Sequence, residues 1–168
     1  MAVINQHIKT GEFAKIYLLY GEERYLVNQY RDKLLSALTD KDDNLNFMKF
    51  AGNGIDTSEL LAFCNEMPFF ADRRVVLVEN SGLFKSSNED FAKKLVEIED
   101  TSVAIFVEMD VDTRYKLFKA VDKNGEALDF ATPDEKMMVT WVKSLFRADG
   151  VATTDTAIYK IIEAANMD

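Results

Sequence analysis

The chain has 168 residues, of which 48% are hydrophobic and 29% are charged, and its formal net charge is −9 with a pI near 4.7. This length suits one globular domain with at most a small appendage, and the acidic composition disfavours a general nucleic-acid or anionic-membrane binder, because each phosphate contact needs a local cation. The single cysteine, Cys64, excludes an intramolecular disulfide framework, and no apolar run has the length of a signal peptide or a membrane span. The composition therefore predicts a soluble cytoplasmic protein.

Short apolar runs alternate with amphipathic stretches over the first 131 residues. The apolar runs predict five strands, at residues 15–21, 45–54, 73–80, 101–110 and 126–131. The amphipathic stretches predict helices at residues 25–38, 55–67, 88–100 and 112–125. Asp56 and Asp112 are candidate N-caps, and Gly125 is a stop signal. Strands separated by helices indicate parallel βαβ units, so we predict a three-layered α/β domain with a five-stranded parallel sheet.

The pattern changes after residue 131. Thr132 is a candidate N-cap with Pro133 at the first helical position, and Gly150 would end that helix. A second capped helix follows, with one apolar face formed by Ala157, Ile158, Ile161, Ile162 and Ala165. Two helices without a following strand indicate the start of a small all-α domain at residues 132–168, after an α/β domain at residues 1–131. Because no third element covers the last apolar face, we expect the chain to be a fragment.

The junction after the first predicted strand is where a P-loop would lie in such a fold. A phosphate cradle needs a glycine-rich loop, a lysine and a serine or threonine that binds magnesium. In this chain Gly21 is followed by Glu22, Glu23 and Arg24, without a second glycine or a Gly-Lys-Ser/Thr motif. The two carboxylates would repel a triphosphate, so we predict no ATP use here. A nucleotide-binding P-loop ATPase is kept as the alternative function.

Acidic residues lie at or directly after the ends of two other predicted strands. Glu108, Asp110 and Asp112 could hold a hard cation, although a solvated loop with Asp112 capping the next helix is the favoured interpretation. Glu79 and Asn80 stand where a hydrolytic relative would carry an acidic pair, and they make a weakened version of it.

Other catalytic side chains are scarce. The only histidine, His7, excludes a Ser–His–acid triad and a histidine-rich metal site. Cys64 lies on the apolar face of its predicted helix and is interpreted as a small core residue. We therefore predict no catalytic residue, no metal and no cofactor.

Two adjacent aromatic residues, Phe69 and Phe70, stand at a helix-to-strand junction in the stretch "NEMPFFADRR". One interpretation is that both fold back as a plug beneath the sheet. The other is an exposed tip, because two consecutive residues rarely face one core and Pro68 ends the helix before them. Arg73 and Arg74 would then border the tip, and exposed aromatics bordered by charge are typical of protein-interaction anchors.

Four segments of the chain, in their order and spacing, resemble the δ-subunit family of bacterial DNA polymerase III, the clamp-loader subunits that open the sliding β clamp. They are "YLLYGEERYLVNQY", "EMPFFADRRVVLVEN", "VAIFVEMDVDTRYKLFKAV" and "DFATPDEKMMVTWVKSLFRADGV". The resemblance, which runs from about Lys15 to the end, implies an AAA+-like domain at residues 1–131 without a working P-loop. It also implies a truncated helical lid at residues 132–168 and a missing C-terminal collar. No intrinsic catalysis is expected, although the holoenzyme is a DNA-directed DNA polymerase.

The same resemblance implies a binding site. Family members carry an apolar pair, usually leucine–phenylalanine, that enters a pocket on the β clamp. This pair corresponds to Phe69 and Phe70, with Met67 and Pro68 beside it. The implied partners are the clamp and, in the full-length protein, the other clamp-loader subunits, with DNA contacted only in the assembled complex and no membrane. The resemblance therefore favours the exposed tip over the buried plug.

Overall fold

The computed structural model describes residues 2–40, 44–131, 139, 142–143, 146 and 153–165. Contacts between Cα atoms divide the chain into two compact units, Met1–Ala131 and Thr132–Asp168. None of the described helices is long and apolar enough to cross a membrane.

A parallel sheet forms the centre of the first unit. Its strands are β1 (Ile16–Tyr20), β2 (Phe47–Ala51), β3 (Arg74–Glu79), β4 (Ser102–Glu108) and β5 (Glu126–Asp129). Its helices are α1 (Ala2–Thr10), α2 (Arg24–Leu38), α3 (Thr57–Cys64), α4 (Glu89–Leu95) and α5 (Lys116–Asn124), with a short 3-10 turn at Leu83–Lys85. The strand order is β2-β3-β4-β1-β5, and every pairing is parallel. The predicted five-stranded parallel sheet is thus confirmed.

Helices cover both faces of this sheet, which gives the three predicted layers. One face packs against α1 and α2, with a core of Ile4, Tyr17, Leu19, Val27, Tyr30, Leu34, Val75, Leu77, Val103, Ile105, Val107 and Phe130. The other packs against α3, α4 and α5, with Ile16, Leu18, Leu60, Phe63, Cys64, Val76, Val78, Phe91, Leu95, Phe106, Leu117 and Val121 among its core residues. Successive strand residues point to opposite faces, so a strand covered on both sides is apolar along its centre, as β4 is between its polar end residues Ser102 and Glu108.

The structure differs from the sequence prediction at α1 and at the start of α5. Helix α1 was not predicted, although Ile4 is fully buried against the core. Helix α5 begins at Lys116, with Tyr115 and not Asp112 at the N-cap position. The reason is that the Asp112 carboxylate accepts a hydrogen bond from the backbone N–H of Arg114 at 3.0 Å. This local turn competes with helix formation. The predicted cap at Asp56 is confirmed, since its carboxylate accepts from the backbone N–H groups of Ser58 and Glu59.

The second unit contains helix α6 (Asp155–Ala165). Ile158 of this helix is buried together with Val139, and Val142 packs against them. Ile161 is 45% exposed, so the predicted apolar face is only partly covered among the described residues. The predicted cap at Thr132, the helix start at Pro133 and the stop at Gly150 lie outside the described residues.

Candidate functional site

An exposed apolar tip, defined here as Met67–Phe70, lies in the connection between α3 and β3. Phe70 is 96% exposed and Phe69 is 55% exposed, while Met67 is 73% exposed and Pro68 is half-buried. The interpretation of a buried aromatic plug is therefore wrong. The tip precedes β3 and lies at the amino edge of the sheet, next to the start of the neighbouring parallel strand β2.

The backbone of the tip is held in an unusual conformation. Phe70 has a φ of 52°, in the left-handed region that a bulky side chain rarely adopts. The rings of Phe69 and Phe70 contact each other edge to face, with centroids 4.6 Å apart and planes at 81°. Such backbone strain persists only where surrounding structure enforces it. Contacts from outside the tip must therefore hold this conformation.

The first support is Asn46, a buried residue directly before β2. Its Oδ1 accepts a hydrogen bond from the backbone N–H of Phe69 at 2.6 Å, and its Nδ2 donates to the carbonyl oxygen of Phe69 at 2.9 Å. One side-chain amide thus satisfies both backbone polar groups of Phe69. Asn46 is not predictable as a site residue, because nothing in the local sequence pattern relates it to a residue 23 positions away.

The second support is Arg74, at the start of β3. Its Nε donates to the carbonyl oxygen of Met67 at 3.1 Å, and its guanidinium pairs with Glu66 at 2.9 Å. The same guanidinium lies over the ring of Phe63, 4.5 Å from the ring centroid. The Arg74 side chain is only 11% exposed, so Arg74 holds the base of the tip and does not border it as a free charge.

A cleft of about 1040 Å³ adjoins the tip. Phe69 and Phe70 line one part of it, and Phe13 and Leu45 line another. Leu45 is itself 61% exposed. Exposed apolar side chains thus lie on two parts of a cleft that Asp40, Asp72 and Arg73 also line.

The carboxyl edge of the sheet holds the junction where a P-loop would lie. Only residues 21–23 separate β1 from α2, whereas a P-loop motif spans eight residues. The backbone N–H of Glu23 donates to the carbonyl oxygen of Phe130 at 3.0 Å. A Cβ atom on Gly21 would lie 2.5 Å from the carbonyl carbon of Phe130. The backbone that follows β5 thus fills the space beside this short loop.

Glu79, at the end of β3, is occupied by two cations. Arg31 reaches one carboxylate oxygen at 2.7 Å, and Lys49 reaches the other at 2.6 Å. Burial by itself raises the pKa of Glu79, but the hydrogen bonds from Lys49 and Arg31 outweigh burial and hold the pKa below its ordinary value. Glu79 therefore serves as the centre of an ion-pair network.

The three carboxylates at the end of β4 and directly after it are engaged with separate partners. Glu108 is buried and accepts hydrogen bonds from the backbone N–H and the hydroxyl of Ser81, at 2.9 and 2.5 Å. Asp110 pairs with Lys85 at 3.2 Å. Asp112 pairs with Arg114, whose side-chain and backbone hydrogen bonds lower the pKa of Asp112 to about 2. In the part of the chain that the structure describes, no His, Cys, Asp and Glu side chains are grouped to hold a metal ion.

Comparison with known proteins identifies relatives of this chain. A family model for the delta subunit of DNA polymerase III matches residues 17–131. Subunit delta of DNA polymerase III from Bacillus subtilis is 32% identical over 76 residues, which are 44% of this chain and 21% of that protein. The solved DNA clamp loader delta protein of Bacillus subtilis has a TM-score of 0.75 at 18% identity, covering 96% of this chain and 51% of that chain. A DNA polymerase III gamma subunit-related protein from Thermotoga maritima has a TM-score of 0.53 at 12% identity, covering 94% of this chain and 57% of that chain.

The fold is therefore that of the clamp-loader proteins. Because the family model covers more than half of the sequence, the chain belongs to the DNA polymerase III δ-subunit family. The chain spans about half the length of the solved delta protein, and the 76 residues matched to the curated relative cover about a fifth of that protein.

Proposed function

We propose that this chain is the clamp-binding segment of a clamp-loader δ subunit. It binds the sliding β clamp through the apolar tip, with Phe69 and Phe70 as anchors and Met67 and Pro68 beside them, and it does not hydrolyse ATP. The observation that supports this proposal is the exposure of two adjacent aromatic rings on a backbone held by two separate supports.

The energetics favour a partner for this surface. Full burial of a phenylalanine side chain contributes about 1.5–3 kcal/mol relative to leaving it exposed. Aromatic anchors surrounded by other apolar groups are typical of the energetic centre of protein interfaces. Met67 supplies further exposed apolar surface at the tip. Burial of the tip in a pocket that accepts both rings would therefore supply most of the free energy of binding.

The proposed mechanism is mechanical rather than chemical. A ligand shifts a conformational equilibrium only by its differential affinity for the two states. If the surface around the tip binds the open form of the clamp more tightly than the closed form, docking would favour opening. ATP-driven motion in partner subunits would then expose or hide the tip, and any contact with DNA would occur within the assembled complex. We place this activity in the cytoplasm.

The two units receive separate proposed roles. Residues 1–131 would form the AAA+-like clamp-binding domain, and residues 132–168 would form part of a helical lid. A nucleotide-hydrolysing role for the first domain is disfavoured because the short loop at residues 21–23 offers neither a phosphate cradle nor a lysine. A hydrolytic site would need Glu79 as an available carboxylate. Here both of its oxygens form ion pairs, one with Arg31 and the other with Lys49.

The test is a titration of the Phe69→Ala/Phe70→Ala variant against the sliding clamp of the same organism. We expect a loss of at least about 2 kcal/mol, or roughly thirtyfold in Kd, because truncation removes most of the apolar surface of the tip. The melting temperature should change little, since both side chains are exposed.

Tyr25→Ala is the matched control. Tyr25 is 75% exposed, but it lies on α2 at the carboxyl edge of the sheet. Its truncation should leave clamp affinity unchanged. Equal affinity for the double variant and the unaltered chain would reject the proposal, and so would an equal loss in the control.

A further inference from the structure

We infer that Asn46 is a positioning residue for clamp binding: its side-chain amide fixes the backbone of Phe69 so that the two aromatic rings are presented in the conformation that the clamp accepts. This inference rests on the proposed function and adds to it a residue outside the tip.

The side-chain amide of Asn46 matches the backbone of Phe69 in geometry. Phe69 needs one acceptor for its N–H and one donor for its carbonyl oxygen, and Asn46 supplies both at 2.6 and 2.9 Å. Among short side chains, a donor and an acceptor on two atoms bonded to the same carbon are particular to asparagine. Aspartate would present an acceptor to the carbonyl oxygen, and alanine would present neither group.

The backbone that carries this amide is itself held rigidly in the sheet. Asn46 is 3% exposed, and its own carbonyl oxygen accepts a hydrogen bond from the backbone N–H of Val75 at 2.8 Å. Asn46 is therefore fixed between β2 and β3. The hydrogen bonds from Asn46 to Phe69 therefore hold the tip in a fixed position relative to the two strands.

The backbone of Phe70 is strained and needs support from its neighbours. Its φ of 52° is unfavourable for a residue with a large side chain. A connection anchored at neither end would relax away from this value. The hydrogen bonds to Phe69 hold the residue directly before it, and Arg74 holds the carbonyl oxygen of Met67. A binding loop that is already ordered in its bound conformation loses less entropy on association and therefore binds more tightly.

Asn46 is a better probe of this support than Arg74. Arg74 also pairs with Glu66 and stacks on Phe63, so its removal would disturb the packing of α3. Substitution of Asn46 by alanine removes the two hydrogen bonds to Phe69 and leaves those contacts of Arg74 in place.

The experiment measures clamp binding by Asn46→Ala, with Asn88→Ala as the control. Asn88 makes a comparable bond from its Nδ2 to the carbonyl oxygen of Leu83 at 2.6 Å, but in the connection after β3. That connection is separated from the tip by the length of the strand, roughly 20 Å. We expect Asn46→Ala to weaken clamp binding about tenfold, because two hydrogen bonds to Phe69 are lost. Asn88→Ala should leave clamp binding unchanged, and the two variants should have similar melting temperatures.

Two further measurements separate positioning from general destabilisation. The amide proton of Phe69 should exchange with solvent faster in Asn46→Ala while the amides of β3 stay protected. The effect of Asn46→Ala on Kd should also shrink when Phe70 is already alanine, because a misplaced tip then has less apolar surface to lose.

The outcomes distinguish the inference from the proposed function. Unchanged clamp affinity in Asn46→Ala would overturn the inference. An equal loss with and without Phe70, or an equal loss in Asn88→Ala, would overturn it as well. If Phe69→Ala/Phe70→Ala itself bound the clamp normally, the proposed function would fail, and the inference would fail with it.

Discussion

The guanidinium of Arg31 lies 2.7 Å from Oε1 of Glu79, and this ion pair joins helix α2 to the carboxyl end of strand β3. Lys49 of the neighbouring strand β2 binds the other carboxylate oxygen at 2.6 Å. Glu79 is 14% exposed, so both bonds form in a partly desolvated position. The residue that stands where a hydrolytic relative would carry its acidic pair thus stabilises the sheet and its covering helix.

This network predicts a pH-dependent effect of Glu79→Gln. The carboxylate has a lowered pKa in the folded protein, so its contribution is complete above the unfolded-state pKa of about 4.3. That contribution is lost as the pH falls through the folded-state pKa. We expect Glu79→Gln to reduce the free energy of unfolding by about 1–2 kcal/mol at pH 7 and by less at pH 3.

Urea denaturation of both proteins at pH 7, 5 and 3 measures this difference. Glu97→Gln, at an exposed position, is the control and should show little dependence on pH. A difference between Glu79→Gln and the unaltered chain that stayed constant down to pH 3 would contradict the assigned role of Glu79.

The contact between Gly21 and the backbone of Phe130 predicts that Gly21→Ala is strongly destabilising. The added Cβ would lie 2.5 Å from the carbonyl carbon and 2.6 Å from the carbonyl oxygen of Phe130, and the φ of Gly21 is 127°. We expect a loss of about 3 kcal/mol, from the clash together with the backbone strain.

Gly52→Ala is the comparison at a glycine of positive φ where the added Cβ would meet no clash. Gly52 has a φ of 80°, but a Cβ added there would meet no atom within 4 Å beyond its own chain neighbours. Its substitution should cost only the backbone strain of about 1 kcal/mol. Thermal denaturation of both variants measures the difference, and equal losses would show that the space beside Gly21 is not closed.

The sheet could be predicted because its signals are local. A strand covered on both faces carries a continuous apolar run, and the central residues of β3 and β4 are the clearest examples. The stop at Gly125 and the cap at Asp56 are likewise carried by single residues at the ends of their helices. The start of α5 was mispredicted because Asp112 can bind the backbone N–H of Arg114 as readily as it can cap a helix.

The exposure of the tip could not be decided from the local sequence. Two adjacent phenylalanines suit a buried plug as well as a surface anchor, and burial alone distinguishes the two. The conformation of Phe69 depends on Asn46, which is distant in sequence and adjacent only because β2 and β3 pair in parallel. Pro68 and the adjacency of the two rings indicate a tip, and the family resemblance favours it further, but neither feature reveals the contacts of Phe69.

Burial predicts that Cys64 is unreactive in the folded protein. Its side chain is fully buried, and burial raises the pKa of the thiol to about 12, against a smaller opposing effect of Arg74. At pH 8 the thiolate fraction should be roughly a thousandfold below that of an exposed cysteine. Reaction with a thiol-specific chromogenic reagent should therefore be slow in buffer and fast in urea. Rapid modification of the folded chain would contradict the assignment of Cys64 to the core.

The junction at residues 21–23 predicts the response of this chain to ATP. Two features oppose nucleotide binding there: the charges of Glu22 and Glu23, and a loop too short to surround a phosphate, with the backbone of Phe130 beside it. Calorimetric titration with ATP and magnesium should show no binding at micromolar concentrations. The Glu22→Gln/Glu23→Gln variant, titrated in the same way, separates the two features.

We expect this variant to stay silent as well, because removing the charges neither lengthens the loop nor supplies a lysine. Binding by the variant alone would mean that charge repulsion, and not the missing cradle, keeps the nucleotide out. Micromolar binding by the unaltered chain would instead support the ATPase alternative, and the tip would then have to be explained as part of an enzyme that also contacts a protein partner.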